Sequence, residues 1–141
     1  MHVFTYGTLM YPEVWLAVVG RTFETVGGTI TGYANFRLRN EVFPGILAAG
    51  PEKSVRGIVY LDVDDDSIEL LDVFEGEFYD RLNLQVIRED GHSLTAGAYV
   101  VPEKNRHALT DEAWHGEEFI ARGHLEQFIR RYQGFSRLAE K

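Results

Sequence analysis

Residues 79–101, YDRLNLQVIREDGHSLTAGAYVV, constrain the fold more than any other stretch of this chain. Leu82, Leu84 and Val86 alternate with Tyr79, Arg81, Asn83 and Gln85. That two-residue period places an apolar set on one face and a polar and aromatic set on the other, as in a strand. Asp90-Gly91 is a tight-turn pair, and SLTAGAYVV reads as the return strand of a hairpin. An antiparallel sheet is therefore the starting point.

Three further segments belong to the same architecture. Residues 2–6, HVFTY, have strand propensity. Residues 55–63 alternate Val55, Gly57, Val59 and Leu61 against Arg56, Ile58, Tyr60 and Asp62, a strand with at least one buried face. Residues 25–38 read as one or two bent strands, in which Gly27, Gly28 and Gly32 suggest bulges or the tight curvature of a small closed sheet. FPGILAAGPEK, residues 43–53, reads as a loop punctuated by Pro44-Gly45 and Gly50-Pro51.

Helices are marked by their ends. Pro12 suits a first turn, Glu13 complements the positive end of the dipole, and Gly20 stops a helix over 12–19. Asp64, Asp65 and Asp66 are cap candidates for a short helix, SIELLDVF, which Gly76 ends. In the last third, Thr110 can cap a segment opening at Asp111-Glu112. Leu125, Phe128, Ile129 and Tyr132 then form a core-facing stripe before Gly134. The expected fold class is mixed α/β of the α+β kind. It is a compact, mainly antiparallel curved sheet or small closed barrel, with short helices and a C-terminal helix. With no linker or repeat, residues 1–141 read as one domain.

Composition removes several functions. The net charge of −8, from 14 Lys and Arg against 22 Asp and Glu, opposes a phosphate-neutralising surface, so nucleic acid is not an expected partner. The longest apolar run, WLAVVG, is too short to span a membrane, and no secretory pattern opens the chain, so the expected location is cytoplasmic. Without cysteine there is no thiolate nucleophile or cysteine metal site. His2, His92, His107, His115 and His124 show no ligand spacing, so no metal is expected. The aspartates at 62–66 lack the spacing of a calcium loop, and there is no GxSxG elbow.

Two constellations are left. A strand ending at Tyr6 and turning through Gly7, Thr8 and Leu9 exposes successive backbone N–H groups close to a helix start. Such a turn can hold a carboxylate or phosphate without a basic side chain, or it is a plain strand-to-helix turn. Glu75 lies at the negative end of the short helix, between Phe74 and Gly76, where burial would raise its pKa and suit it to proton transfer, or it is a solvated helix-end residue, which composition alone favours. Tyr79 and Arg81, two apart on a strand, share a face and can orient or pair a nearby carboxylate.

Taken in order, Tyr6-Gly7-Thr8-Leu9 after the first strand, FPGI at 43–46 and DVFEGEFYDR at 72–81 resemble the γ-glutamylcyclotransferase-like superfamily. More narrowly, they resemble its small AIG2-like and γ-glutamylamine cyclotransferase branch. The likeness covers most of the chain, including a late helix carrying Trp114 and EEF, and rests on the order and separation of the pieces.

The resemblance implies a mixed α/β fold with a small closed barrel. It implies that Tyr6, Gly7, Thr8 and Leu9 hold the substrate through backbone groups, with Tyr79 and Arg81 shaping or orienting. Glu75 would be the general acid/base. Glu77 lies two residues on, but Glu75 matches by following Phe74 and preceding Gly76. The implied reaction is attack of the free α-amine of a γ-glutamyl group on its own γ-carbonyl, releasing 5-oxoproline and a free amine with no metal or cofactor. The expected partner is a small γ-glutamyl molecule, with no nucleic acid and no membrane. The rival readings are a non-catalytic domain that binds a small carboxylated metabolite and a domain whose interface does the work.

Overall fold

The computed structural model describes residues 1–39 and 44–114. In chain order its elements are β1 (His2–Thr5), α1 (Pro12–Val19), β2 (Thr25–Thr31), β3 (Tyr33–Leu38), β4 (Pro44–Ala48), β5 (Ser54–Tyr60), α2 (Asp65–Glu75), β6 (Asp80–Arg88), β7 (Ser93–Val100) and β8 (Leu109–Ala113). Single 3-10 turns occupy Thr8–Met10 and Gly76–Phe78, and a longer 3-10 segment spans Glu103–Ala108.

Strands β1, β5, β2, β6 and β7 follow one another around a closed barrel, because β7 also pairs with β1. The barrel is antiparallel except at that closing seam, where β1 runs parallel to β7. Beyond β7 the sheet continues through β4 and β3 to β8. The expected hairpin is there, with β6 and β7 paired from Ile87↔Ser93 to Asp80↔Val100. Its apolar face is buried at Val86 and half-buried at Leu84, while Leu82 stands exposed on the outside.

Both expected helix starts are real. Pro12 opens α1 and Glu13 lies in its first turn. Gly20 closes it in the left-handed region with φ +77°, where its N–H donates to the Leu16 carbonyl at 2.8 Å. The Asp64 carboxylate caps α2, accepting from the Ser67 N–H at 3.2 Å and the Ser67 hydroxyl at 2.6 Å.

Two expectations about loops and helices are overturned by pairing between distant parts of the chain. Residues 44–48 are a strand, not loop: β4 lies between β3 and β7, with Asn35↔Ile46 on one side and Ile46↔Val100 on the other. Thr110 caps no helix. It belongs to β8, its hydroxyl donates to the Arg37 carbonyl at 2.8 Å, and Glu112 pairs with Arg37 across the strands. The helical stripe expected at Leu125, Phe128, Ile129 and Tyr132 lies outside the described residues. Nor do Gly27 and Gly28 form a bulge: β2 pairs without a register shift from Thr25↔Tyr60 to Thr31↔Ser54, and the space beside Gly28 is filled by Val86.

Two apolar clusters meet along β1 and β5. Inside the barrel lie Phe4, Ile30, Val59, Val86 and Ala98. Beneath the helices lie Val14, Trp15, Val18, Ile68 and Leu71, where the Trp15 ring stacks on Tyr60 with centroids 3.6 Å apart and planes at 5°. Among the described residues no helix is long and apolar enough to cross a membrane.

Candidate active site

A cavity of about 270 Å³ opens where the end of β1 meets the last turn of α2. Phe4, Thr5, Tyr6, Gly7, Thr8 and Leu9 form one wall and Phe74, Glu75, Phe78 and Tyr79 the opposite one, with Leu38, Pro44 and Tyr99 completing it. The loop and the acid, far apart in sequence, therefore face the same space.

The loop wall is built from backbone. After Gly7 the chain enters the 3-10 turn, with the Met10 N–H donating to the Gly7 carbonyl at 3.0 Å and the Tyr11 N–H to the Thr8 carbonyl at 3.2 Å. Two side chains hold the loop from behind: Asn35 donates to the Tyr6 carbonyl at 3.3 Å and the Tyr60 hydroxyl to the Leu9 carbonyl at 2.9 Å. Thr8 and Leu9 are buried, yet their N–H groups have no acceptor among the described residues. Buried donors of this kind are ready-made partners for an anion. A side chain at Gly7 would fall 2.6 Å from Pro44 Cγ, so the close approach of β4 admits only glycine there.

The opposite wall carries the titratable group. Glu75 is the last residue of α2, before Gly76 at φ +70°. Although part of its side chain faces the cavity, burial against Phe74 and the aromatic wall pushes its carboxyl up to about 8. Glu77, on the next turn, is exposed and does not line the cavity.

Three phenols surround the acid. The Tyr6 hydroxyl donates to the Tyr99 carbonyl, and its pKa is held well above the usual value by burial, with Tyr79 and Glu75 adding to the effect. The Tyr79 hydroxyl donates to the Pro44 carbonyl at 2.7 Å, and its ring meets Phe78 edge-on. The Tyr99 hydroxyl donates to Asp72 Oδ1 at 2.7 Å.

Of the residues singled out in the sequence, Tyr6, Gly7, Thr8, Leu9, Glu75 and Tyr79 come together around the cavity. Arg81 does not line it. Its guanidinium turns to Asp72, with Nε 2.9 Å from Oδ1 and Nη2 3.3 Å from Oδ2. Tyr99 and Asp72 went unmarked in the sequence. Counting pairs outward from a two-residue Asp90-Gly91 turn would have set Val100 opposite Arg81. The turn instead takes in residues 89–91, with the Arg88 N–H donating to the His92 carbonyl at 2.8 Å, and this one-residue shift sets Tyr99 opposite Arg81. Asp72 carried no comparable signal, because only the packing of α2 on the hairpin brings it there.

Comparisons with known proteins show the family and the fold. The family model described as gamma-glutamyl cyclotransferase, AIG2-like, matches residues 3–116. The chain is 36% identical to AIG2-like protein C of Arabidopsis thaliana over 118 residues, which is 83% of this chain and 67% of that protein. A solution structure of another Arabidopsis thaliana protein superposes with a TM-score of 0.70 at 27% identity, covering 99% of this chain and 84% of that one. The yeast gamma-glutamyl cyclotransferase specific to glutathione shares the fold, with a TM-score of 0.64 at 14% identity over 95% of this chain and 94% of its own. The chain therefore belongs to the AIG2-like γ-glutamyl cyclotransferase family.

Proposed function

We propose that the protein is a cofactor-independent γ-glutamyl cyclotransferase that releases 5-oxoproline and a free amine from a γ-glutamyl-amine or γ-glutamyl peptide. The observation that supports this best is the pairing, within one cavity, of buried unpaired loop amides with a carboxyl whose pKa lies near that of an α-amine.

In this reading the Thr8 and Leu9 N–H groups hold the α-carboxylate or the developing oxyanion of the γ-carbonyl. Ionised Glu75 takes a proton from the substrate ammonium. The freed α-nitrogen attacks the γ-carbonyl carbon, and the C–N bond to the outgoing amine breaks as Glu75 returns its proton to that nitrogen. The second proton on the ring nitrogen then passes through Glu75 to the departing amine, leaving a lactam N–H, an ammonium product and ionised Glu75. Both reacting groups belong to one molecule, so the enzyme's task is to hold the folded-over conformer. The aromatic walls restrict water around the acid. Tyr79, tied to Pro44, shapes the side of the cavity facing Glu75.

The test is 5-oxoproline release from a panel of γ-glutamyl-amines, γ-glutamyl dipeptides and glutathione. We expect the native protein to turn over at least one panel member and Glu75→Gln to lose roughly 100-fold or more in kcat while still binding it. Because the base works ionised, kcat/KM rises with pH and reaches half its maximum near pH 8. Tight binding without turnover would replace this reading with a carboxylate-binding domain.

A further inference from the structure

Asp72 sits one turn before Glu75 on α2, and its two ends do different work. Its carbonyl accepts the Gly76 N–H that closes the helix after Glu75. Its carboxylate leaves the helix, accepts a hydrogen bond from the Tyr99 hydroxyl on β7 at 2.7 Å and receives a two-point contact from Arg81 on β6. Tyr99 in turn lines the cavity and presents its carbonyl to Tyr6. One side chain thus connects the turn that carries the acid to two barrel strands and, through Tyr99, to the wall that carries Tyr6.

Resting on the cyclotransferase reading, we infer that Asp72 is a positioning residue for Glu75, and that Arg81 is the counter-ion that keeps this anchor electrically neutral toward the acid. The geometry goes beyond a surface ion pair. A half-exposed Arg–Asp contact alone contributes little to stability and is close to dispensable. Here the contact is forked, and it shares Asp72 Oδ1 with a phenol that lines the cavity. Positions three apart on a helix lie on the same face with Cβ atoms about 5–6 Å apart, so an unneutralised Asp72 carboxylate would be a near neighbour of Glu75.

The other groups around the acid are neutral phenols or carboxyls. Tyr6 comes from β1, Tyr99 from β7, and Tyr79 follows the Gly76–Phe78 turn. Glu77 lies on the solvent side of that turn, and Glu13 on α1, which packs on α2, acts on Tyr60 instead. Among the described residues, Arg81 is the cation paired with this cluster.

The experiment is a carbon-13 titration of the Glu75 carboxyl by NMR in the full chain. Asp72→Asn leaves Arg81 as an uncompensated cation and lowers the Glu75 midpoint by roughly half a unit; Arg81→Met uncovers Asp72 and raises it by roughly half a unit. Arg81→Lys retains the charge and keeps the midpoint near the native one. Shifts of opposite sign, with rescue by lysine, are the expected result. No shift in either variant, or shifts of the same sign tracking the loss of thermal stability, would show a packing contact only and overturn the inference. Should Asp72→Asn not fold, the comparison of Arg81→Met with Arg81→Lys makes the same decision.

In turnover, Asp72→Asn should lower kcat several-fold with KM within about twofold. The titration needs no substrate. A native protein that releases no 5-oxoproline would therefore defeat the cyclotransferase reading while the titration still judges this one.

Discussion

Burial of the Glu75 carboxyl costs the folded state stability at high pH. The carboxyl titrates near 8 in the folded protein against an ordinary value of 4.5, because the cavity wall withholds water from the charged form. Between those two values the native state binds more protons than the unfolded state, so stability falls as pH rises through the window. Above pH 8 the full cost applies, on the order of 2–4 kcal/mol for a shift of this kind in a partly cavity-facing group. Glu75→Gln removes the charge and with it the cost. The variant should therefore melt above the native protein at pH 9, and the gap should close as pH approaches 4. Equal melting temperatures at both pH values would mean that Glu75 is solvated and unsuited to the proposed role. Its place between Phe74 and Gly76 was readable in the sequence. That the cavity is lined by Phe4, Phe78 and Tyr99 as well was not, since those rings arrive from other elements.

Helix α2 is the part of the molecule that delivers the acid, and its attachment is apolar on one side and open on the other. Leu71 is fully buried beneath the helix, whereas Val73, two residues on, is 79% exposed. Leu71→Ala should lower stability by about 2–4 kcal/mol, read as the urea midpoint, while Val73→Ala should stay within about 0.5 kcal/mol. Comparable losses in both would refute this placement of the helix. The ends of α1 and α2 could be read in advance because caps are local: a proline, an acid or a glycine at the right place satisfies or terminates the backbone by itself. Strands β4 and β8 could not. Pro44-Gly45 and Thr110-Asp111-Glu112 look like loop and helix start, and only pairing with β3 and β7 makes them strands.

Across the whole molecule, the closed barrel and its flanking strands should differ in how they open. Val59 on β5, Val86 on β6 and Ala98 on β7 sit in strands paired on both sides and are wholly buried. β8, by contrast, is paired on one side only among the described residues and carries exposed Asp111 and Glu112. Amide exchange at 59, 86 and 98 should require global unfolding, while exchange at 111 and 112 should proceed by local opening at lower free energy. Uniform protection would show β8 to be part of the same cooperative unit. Side-chain period, turn pairs, helix caps and charge balance are properties of neighbours along the chain. They alone marked the hairpin, both short helices, the loop at residues 6–9 and the acidic net charge. Burial and cross-strand pairing belong to residues far apart in sequence. Only the tertiary structure could therefore raise the Glu75 pKa, turn Arg81 from the cavity to Asp72, recruit Tyr99 and make strands of β4 and β8, because desolvation and sheet pairing exist only once distant segments meet.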